Sequence, residues 1–236
     1  MLMTAALGNG LGFVFWFAVA KAYSPADVGR AATLYGVVLF LAGVGSLGLP
    51  YGIIRFLPSE GNKASLVRGA FLASGIASAI LSVLVLAGLE VWSPALAFVR
   101  SDPALALACV FSIIGFALGA VLDGAFVAAR RAGFGTVRTA LFGLLRLPIP
   151  LLLASSFGIL GVILAWTIAL VVSVVVGVLL MLPRIAPGDG AALSLEAIRG
   201  KGIFGYSLWN HGAALIAAVP LLLLPLMILN APEPMG

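Results

Sequence analysis

The chain has 236 residues, 63% of them hydrophobic and only 9% charged, with a mean hydropathy of +1.23. A soluble domain carries about 25% charged residues, so this composition excludes a soluble globular protein and predicts an all-α polytopic membrane protein. The 13 Lys and Arg outnumber the 8 Asp and Glu, but they punctuate apolar runs. They read as loop anchors at a cytoplasmic surface, and no nucleic-acid partner is expected.

Segments of about 20 apolar residues are long enough to cross a bilayer, and seven are expected here. The first, about 2–20, has no Lys or Arg before Lys21. It therefore lacks the basic leader of a signal peptide, and the chain is expected to start inside, or just at, its first span. A loop, Ala22 to Arg30, leads to the second span at about 32–54, which ends at Arg55. The third covers about 69–89 and stops at Glu90; the fourth covers about 104–128 and ends at Arg130-Arg131. The fifth, about 139–155, is short and interrupted by Pro148 and Pro150. The turn Ser155-Ser156-Phe157-Gly158 passes into the sixth at about 159–182. A polar connector, 183–206, precedes a seventh span at about 207–229, broken by Pro220 and Pro225. The expected units are thus a six-helix membrane lobe over 1–182, a cytoplasmic connector over 183–206, and a further helix over 207–230. Within the connector, Leu195, Ile198 and Arg199 have the spacing of an interfacial helix.

Loop charge sets the orientation. Connections after spans two, four and six carry Arg55, Lys63 and Arg68, then Arg130, Arg131 and Arg138, then Arg184, Arg199 and Lys201. Those after spans one, three and five carry only Lys21, Arg30 and Arg100. Nine against three places the even connections and the N-terminus in the cytoplasm of a multi-pass protein of the cytoplasmic (inner) membrane.

Gly8 with Gly12, and Gly115 with Gly119, have the spacing that lets membrane helices approach closely. Ser74, Ser78 and Ser82 form a stripe that serves either helix packing or a polar cavity. Pro50 after Gly48, Pro148 with Pro150, and Pro220 with Pro225 mark expected kinks. Broken helices are tolerated in a membrane only where neighbours or water satisfy the freed backbone groups, which favours a transporter over a passive anchor.

An enzyme site lacks parts. His211, the single histidine, reads as an interfacial polar residue at the start of the seventh span, and Asp123 is the sole acid inside a span. There is no His-x-x-x-His, nucleophile elbow or P-loop, and the single Cys109 rules out a multi-Cys metal site. No catalytic residue, cofactor or metal is expected. The informative stretch is Gly115 to Pro150, two apolar runs around a basic turn of Arg130, Arg131 and Arg138, with Asp123 inside one run and Arg146 inside the other. A lone charge at bilayer centre costs about 3 kcal/mol on insertion scales. Asp123 and Arg146 are therefore expected to meet at similar depth, as a structural ion pair or as part of a wet cavity. Arg55 is either a snorkelling anchor or a third cavity residue. Planar multi-donor arginines in excess of acids suit an anionic amphiphile such as a pyrophosphate-linked lipid.

Three stretches carry a family resemblance: Ala20 to Pro58, with Ser24-Pro25 ahead of Asp27-Val28-Gly29; Leu122 to Leu153; and Phe157 to Ile185. They resemble the polysaccharide-transporter branch of the multidrug/oligosaccharidyl-lipid/polysaccharide exporter superfamily, the flippases of O-antigen and lipid-linked oligosaccharides. The resemblance implies two six-helix lobes around a cavity that alternates between membrane faces, and a cationic cavity for the lipid pyrophosphate. Arg55 and Arg146 are its candidates by position, with Asp123 orienting Arg146 or taking part in coupling. The family carries twelve to fourteen spans. The chain is accordingly expected to be an N-terminal part, acting with a remaining C-terminal lobe or another copy. A cation-coupled multidrug exporter of the same superfamily, and a truncated non-transporting remnant, are the alternatives.

Overall fold

The computed structural model describes residues 2–187, 198, 202–213 and 216. Among these the chain is helical, and six helices are long and apolar enough to cross a membrane: Met3–Ala22, Pro25–Gly45, Lys63–Ala87, Pro103–Ala128, Ala132–Leu153 and Phe157–Arg184. The protein is an all-α polytopic membrane protein. The expected interfacial helix around Leu195 and Arg199, Pro220 and Pro225, and nearly all of the seventh span lie outside the described residues.

The helices begin where short polar side chains can hold their first free N–H groups. Helix α1 is Leu2–Ala22 and α2 is Pro25–Gly45. Ser24 caps α2 by accepting from the Asp27 N–H at 3.1 Å, with Pro25 at the first helical position. The expected loop from Ala22 to Arg30 therefore shrinks to Tyr23-Ser24, and the second span starts at 25 rather than 32. Tyr23 fixes this corner by donating its hydroxyl to the Pro150 carbonyl at 2.7 Å. Burial and, secondarily, the charge of Asp27 raise its pKa above the usual phenol value, which keeps the donor protonated.

The same span also ends earlier than expected. Helix α2 stops at Gly45, Leu47 and Gly48 take left-handed φ values of 53° and 66°, and α3 (Leu49–Phe56) restarts with Pro50 in its first turn. Helix α4 (Lys63–Ala87) is capped by Asn62, which accepts from the Ser65 N–H at 3.0 Å. Two short helices, α5 (Leu89–Trp92) and α6 (Phe98–Ser101), lead to α7 (Pro103–Ala128), capped by Asp102. Helices α8 (Ala132–Leu145) and α9 (Pro148–Val176) are separated by Arg146-Leu147, where Pro148 and Pro150 prevent continuation.

Within α9 the chain breaks again at Gly158, φ 47° and ψ −134°. An L-residue rarely adopts this conformation, and a Cβ there would meet nothing within 4 Å. Gly158→Ala therefore isolates backbone strain and is expected to cost about 1–3 kcal/mol. Gly10→Ala, equally unobstructed but helical, should be neutral or slightly stabilising in the same thermal unfolding series. Equal effects from the two would refute the strained turn.

Helix α7 is the axis of the lobe, touching α2, α3, α4, α8 and α9. Lipid tails are as apolar as Leu, so close packing replaces hydrophobic burial as the cohesive force. Such packing is close in two places. An aromatic cluster joins Phe15, Trp16, Tyr35 and Trp166, with Tyr35 and Trp166 centroids 4.7 Å apart. The serine stripe of α4 is fully buried, and a Cβ on Gly45 would lie 2.9 Å from the Ser78 Cα. Of its two readings, Ser78 therefore serves helix packing. The large apolar residues left exposed, among them Phe13, Phe17, Ile80 and Phe111, suit a lipid-facing surface.

Candidate functional site

The α7–α8 hairpin turns more tightly than its sequence suggests. Arg130 takes φ 56°, and the Arg131 N–H returns to the Phe126 carbonyl at 2.8 Å while the Arg130 N–H reaches Val127. This is a Schellman turn with arginine where glycine is usual, and it lets α8 begin at Ala132. Arg130 and Arg131 are at the turn, as expected. Arg138 is not part of it. It lies six residues into α8, about 9 Å along the helix, and Asp123 lies five residues before the end of α7, about 8 Å.

The two therefore share a depth, and they pair. Arg138 Nε donates to Asp123 Oδ1 at 2.9 Å and Nη2 donates to Oδ2, a fork-to-fork geometry. This corrects the expectation that Asp123 pairs with Arg146, and the reason is the turn. Three residues connect the helices instead of about ten, which moves α8 along α7 by roughly two helical turns. Two glycines make room for the Arg138 side chain. A Cβ on Gly119 would lie 3.1 Å from Arg138 Nη1, and one on Gly177 would lie 3.6 Å from its Cδ. The pair is asymmetric: the Arg138 side chain is 10% exposed and that of Asp123 is 40% exposed.

Arg146 sits eight residues farther along, about 12 Å deeper from the turn. It is 4% exposed and has no carboxylate partner among the described residues. Its guanidinium lies 4.9 Å from the Phe15 ring centroid and 4.7 Å from that of Phe142, cation–π contacts worth about 0.5–2 kcal/mol each. Its buried Nε has no hydrogen-bond partner among the described residues. Gly12 clears its path, since a Cβ there would lie 3.4 Å from Nη2.

These groups open onto cavities between α1, α2, α7 and α8. Asp123 lines one of about 340 Å³ with Thr4, Ala5, Gly135 and Thr139, and another of about 300 Å³ with Gly43, Ser46 and Arg138. Arg146 lines a third, of about 220 Å³, with Gly8, Asn9, Tyr35 and Thr139. Tyr35, Asn9 and Thr139 had no signature in the sequence; their role comes from which way each helix is rotated. The Gly8–Gly12 pair is visible as a packing motif, and what it accommodates is Thr139 of α8 and Arg146 just beyond the end of that helix.

Arg55 stands apart. It is exposed at the end of α3, with its guanidinium 4.7 Å from the Tyr206 ring centroid, and it lines none of these three cavities. Tyr206 belongs to a helical stretch, 203–213, that starts before the expected span boundary at 207. His211 in the same stretch is buried against α2. Its Nε2–H donates to the Gly43 carbonyl at 2.7 Å, which fastens the stretch to the end of α2.

Among the described residues, the site thus combines one neutralised ion pair, with its carboxylate facing space, and one buried arginine with no counter-ion. Comparison of the chain with protein-family models, with curated proteins and with solved structures gives no match.

Proposed function

We propose that this protein moves lipid-linked saccharides across the cytoplasmic membrane by alternating access, in polysaccharide biosynthesis and export. The observation that carries this reading is Arg146, buried beside a cavity of about 220 Å³ with no carboxylate among the described residues to neutralise it. An intramembrane charge without a counter-ion is costly, and a phosphate or diphosphate arriving in the cavity would relieve that cost with charge-assisted hydrogen bonds. The sequence resemblance to lipid-linked oligosaccharide flippases points the same way. Alternating access takes two opposed halves; the second is supplied by a further lobe or by another copy of the chain. The cation-coupled multidrug reading needs Asp123 as a free acid, and Arg138 already holds both of its oxygens.

The test is flipping of a fluorescent farnesyl diphosphate in vesicles of phosphatidylcholine and phosphatidylglycerol containing the full-length protein. Arg146→Ala removes hydrogen bonds to a charged group worth about 1.5–3 kcal/mol, so the initial rate is expected to fall about tenfold to a hundredfold. A rate unchanged in a folded Arg146→Ala protein would overturn the proposal.

A further inference from the structure

Two cavities beside α1 and α8 have opposite character. The cavity that holds Asp123 and the cavity that holds Arg146 share Thr139. Among the described residues, Asp123 is the only charged group lining the first of these, and Arg146 the only one lining the other. Asp123 accepts two bonds from Arg138, one on each oxygen. Each oxygen keeps a second acceptor position, and the side chain is 40% exposed while Arg138 is shielded at 10%. What this end offers a ligand is therefore hydrogen-bond acceptors. The other end offers the guanidinium of Arg146, which lines the cavity beside Tyr35 and Asn9.

The geometry points to a polar-ended ligand that reaches from one cavity to the other past Thr139, with its phosphate at Arg146 and hydrogen-bond donors at Asp123. This rests on the flippase reading and adds to it an orientation and a specificity. The sugar next to the phosphate is read by Asp123 through its hydroxyl, amide or amino hydrogens. A uronic acid is disfavoured there, because its carboxylate meets acceptor oxygens and a like charge. A phospholipid bearing a primary ammonium, with N–H donors, beside its phosphate shares this chemistry, so the test separates the two.

Binding is measured on the full-length protein in phosphatidylcholine nanodiscs, with farnesyl diphosphate linked to N-acetylglucosamine or to glucuronic acid as probes. The wild type is expected to bind the acetamido sugar at least about tenfold more tightly than the uronic acid. Arg146→Ala should weaken both probes by about tenfold or more and leave their ratio unchanged. Asp123→Asn should bring the ratio within about threefold. If Asp123→Asn does not fold, Asp123→Asn with Arg138→Gln removes both charges of the pair and carries the same expectation. An unchanged ratio in either folded variant overturns this inference and leaves the role of Arg146 standing. Wild-type binding by Arg146→Ala overturns the flippase reading beneath it. In a second arm, phosphatidylethanolamine replaces phosphatidylcholine, and unchanged sugar-probe binding is expected. A loss greater than about tenfold there assigns the Asp123 end to a lipid ammonium and overturns the saccharide assignment.

Discussion

Asp123→Ala is expected to destabilise the lobe by about 3 kcal/mol or more, because it strands the Arg138 guanidinium in the slot between Gly119 and Gly177. Arg138→Ala should cost less, about 1–2 kcal/mol. The carboxylate it leaves behind has a side chain 40% exposed to a cavity and can be hydrated, whereas Arg138 at 10% cannot. The double variant Asp123→Ala with Arg138→Met removes both charges and keeps most of the packed volume. It should recover much of the loss, as replacement of buried ion pairs by apolar groups often does. Thermal unfolding in detergent, followed by tryptophan fluorescence, measures all three. A pair that is merely decorative would show single variants within about 0.5 kcal/mol of the wild type and no coupling between them.

The second large effect belongs to Gly48. Its φ of 66° is the left-handed conformation, and a Cβ there would lie 2.3 Å from the Ser207 carbonyl oxygen and 2.4 Å from the His211 Cβ. One penalty is conformational, about 1–2 kcal/mol for an L-residue. The other is steric, about 1–3 kcal/mol when backbone must move. Gly48→Val should therefore cost about 2–5 kcal/mol and push the stretch 203–213 off α3, breaking the bond from His211 to Gly43. A cysteine placed at Ser207 in a Cys109→Ala background reports this directly: protected when Gly48 is retained, reactive once Gly48→Val is added. Gly205→Ala, which meets nothing within 4 Å in the same stretch, serves as the control and should leave the cysteine protected. Protection that survives Gly48→Val would mean the helix docks elsewhere.

Much of this architecture is legible in residues. Ser24-Pro25, Asn62-Lys63 and Asp102-Pro103 are helix starts because a side-chain acceptor precedes a residue suited to the first turn. Gly48-Leu49-Pro50, Pro148 with Pro150, and Gly158 are breaks because they deny the backbone a donor or supply a conformation other residues avoid. Six spans come from lengths of apolar sequence that match a bilayer. Boundaries are less legible where a charge falls inside a span. Lys63 and Arg68 lie in the first turns of α4, and Arg138 is deep within α8. A glycine slot can admit a charged side chain to a helix interior that hydropathy alone would close.

By itself, then, the sequence determined the class of protein, its spans and breaks, and the presence of intramembrane charges that need an explanation. Only the tertiary structure decided which charges meet. That choice depends on a three-residue Schellman turn and on the rotation of α8 against α7. A shift of two helical turns exchanges Arg146 for Arg138 as the partner of Asp123. Composition is insensitive to such a shift, because the partner of Asp123 depends on how the two helices are joined and rotated and not on which residues the chain contains.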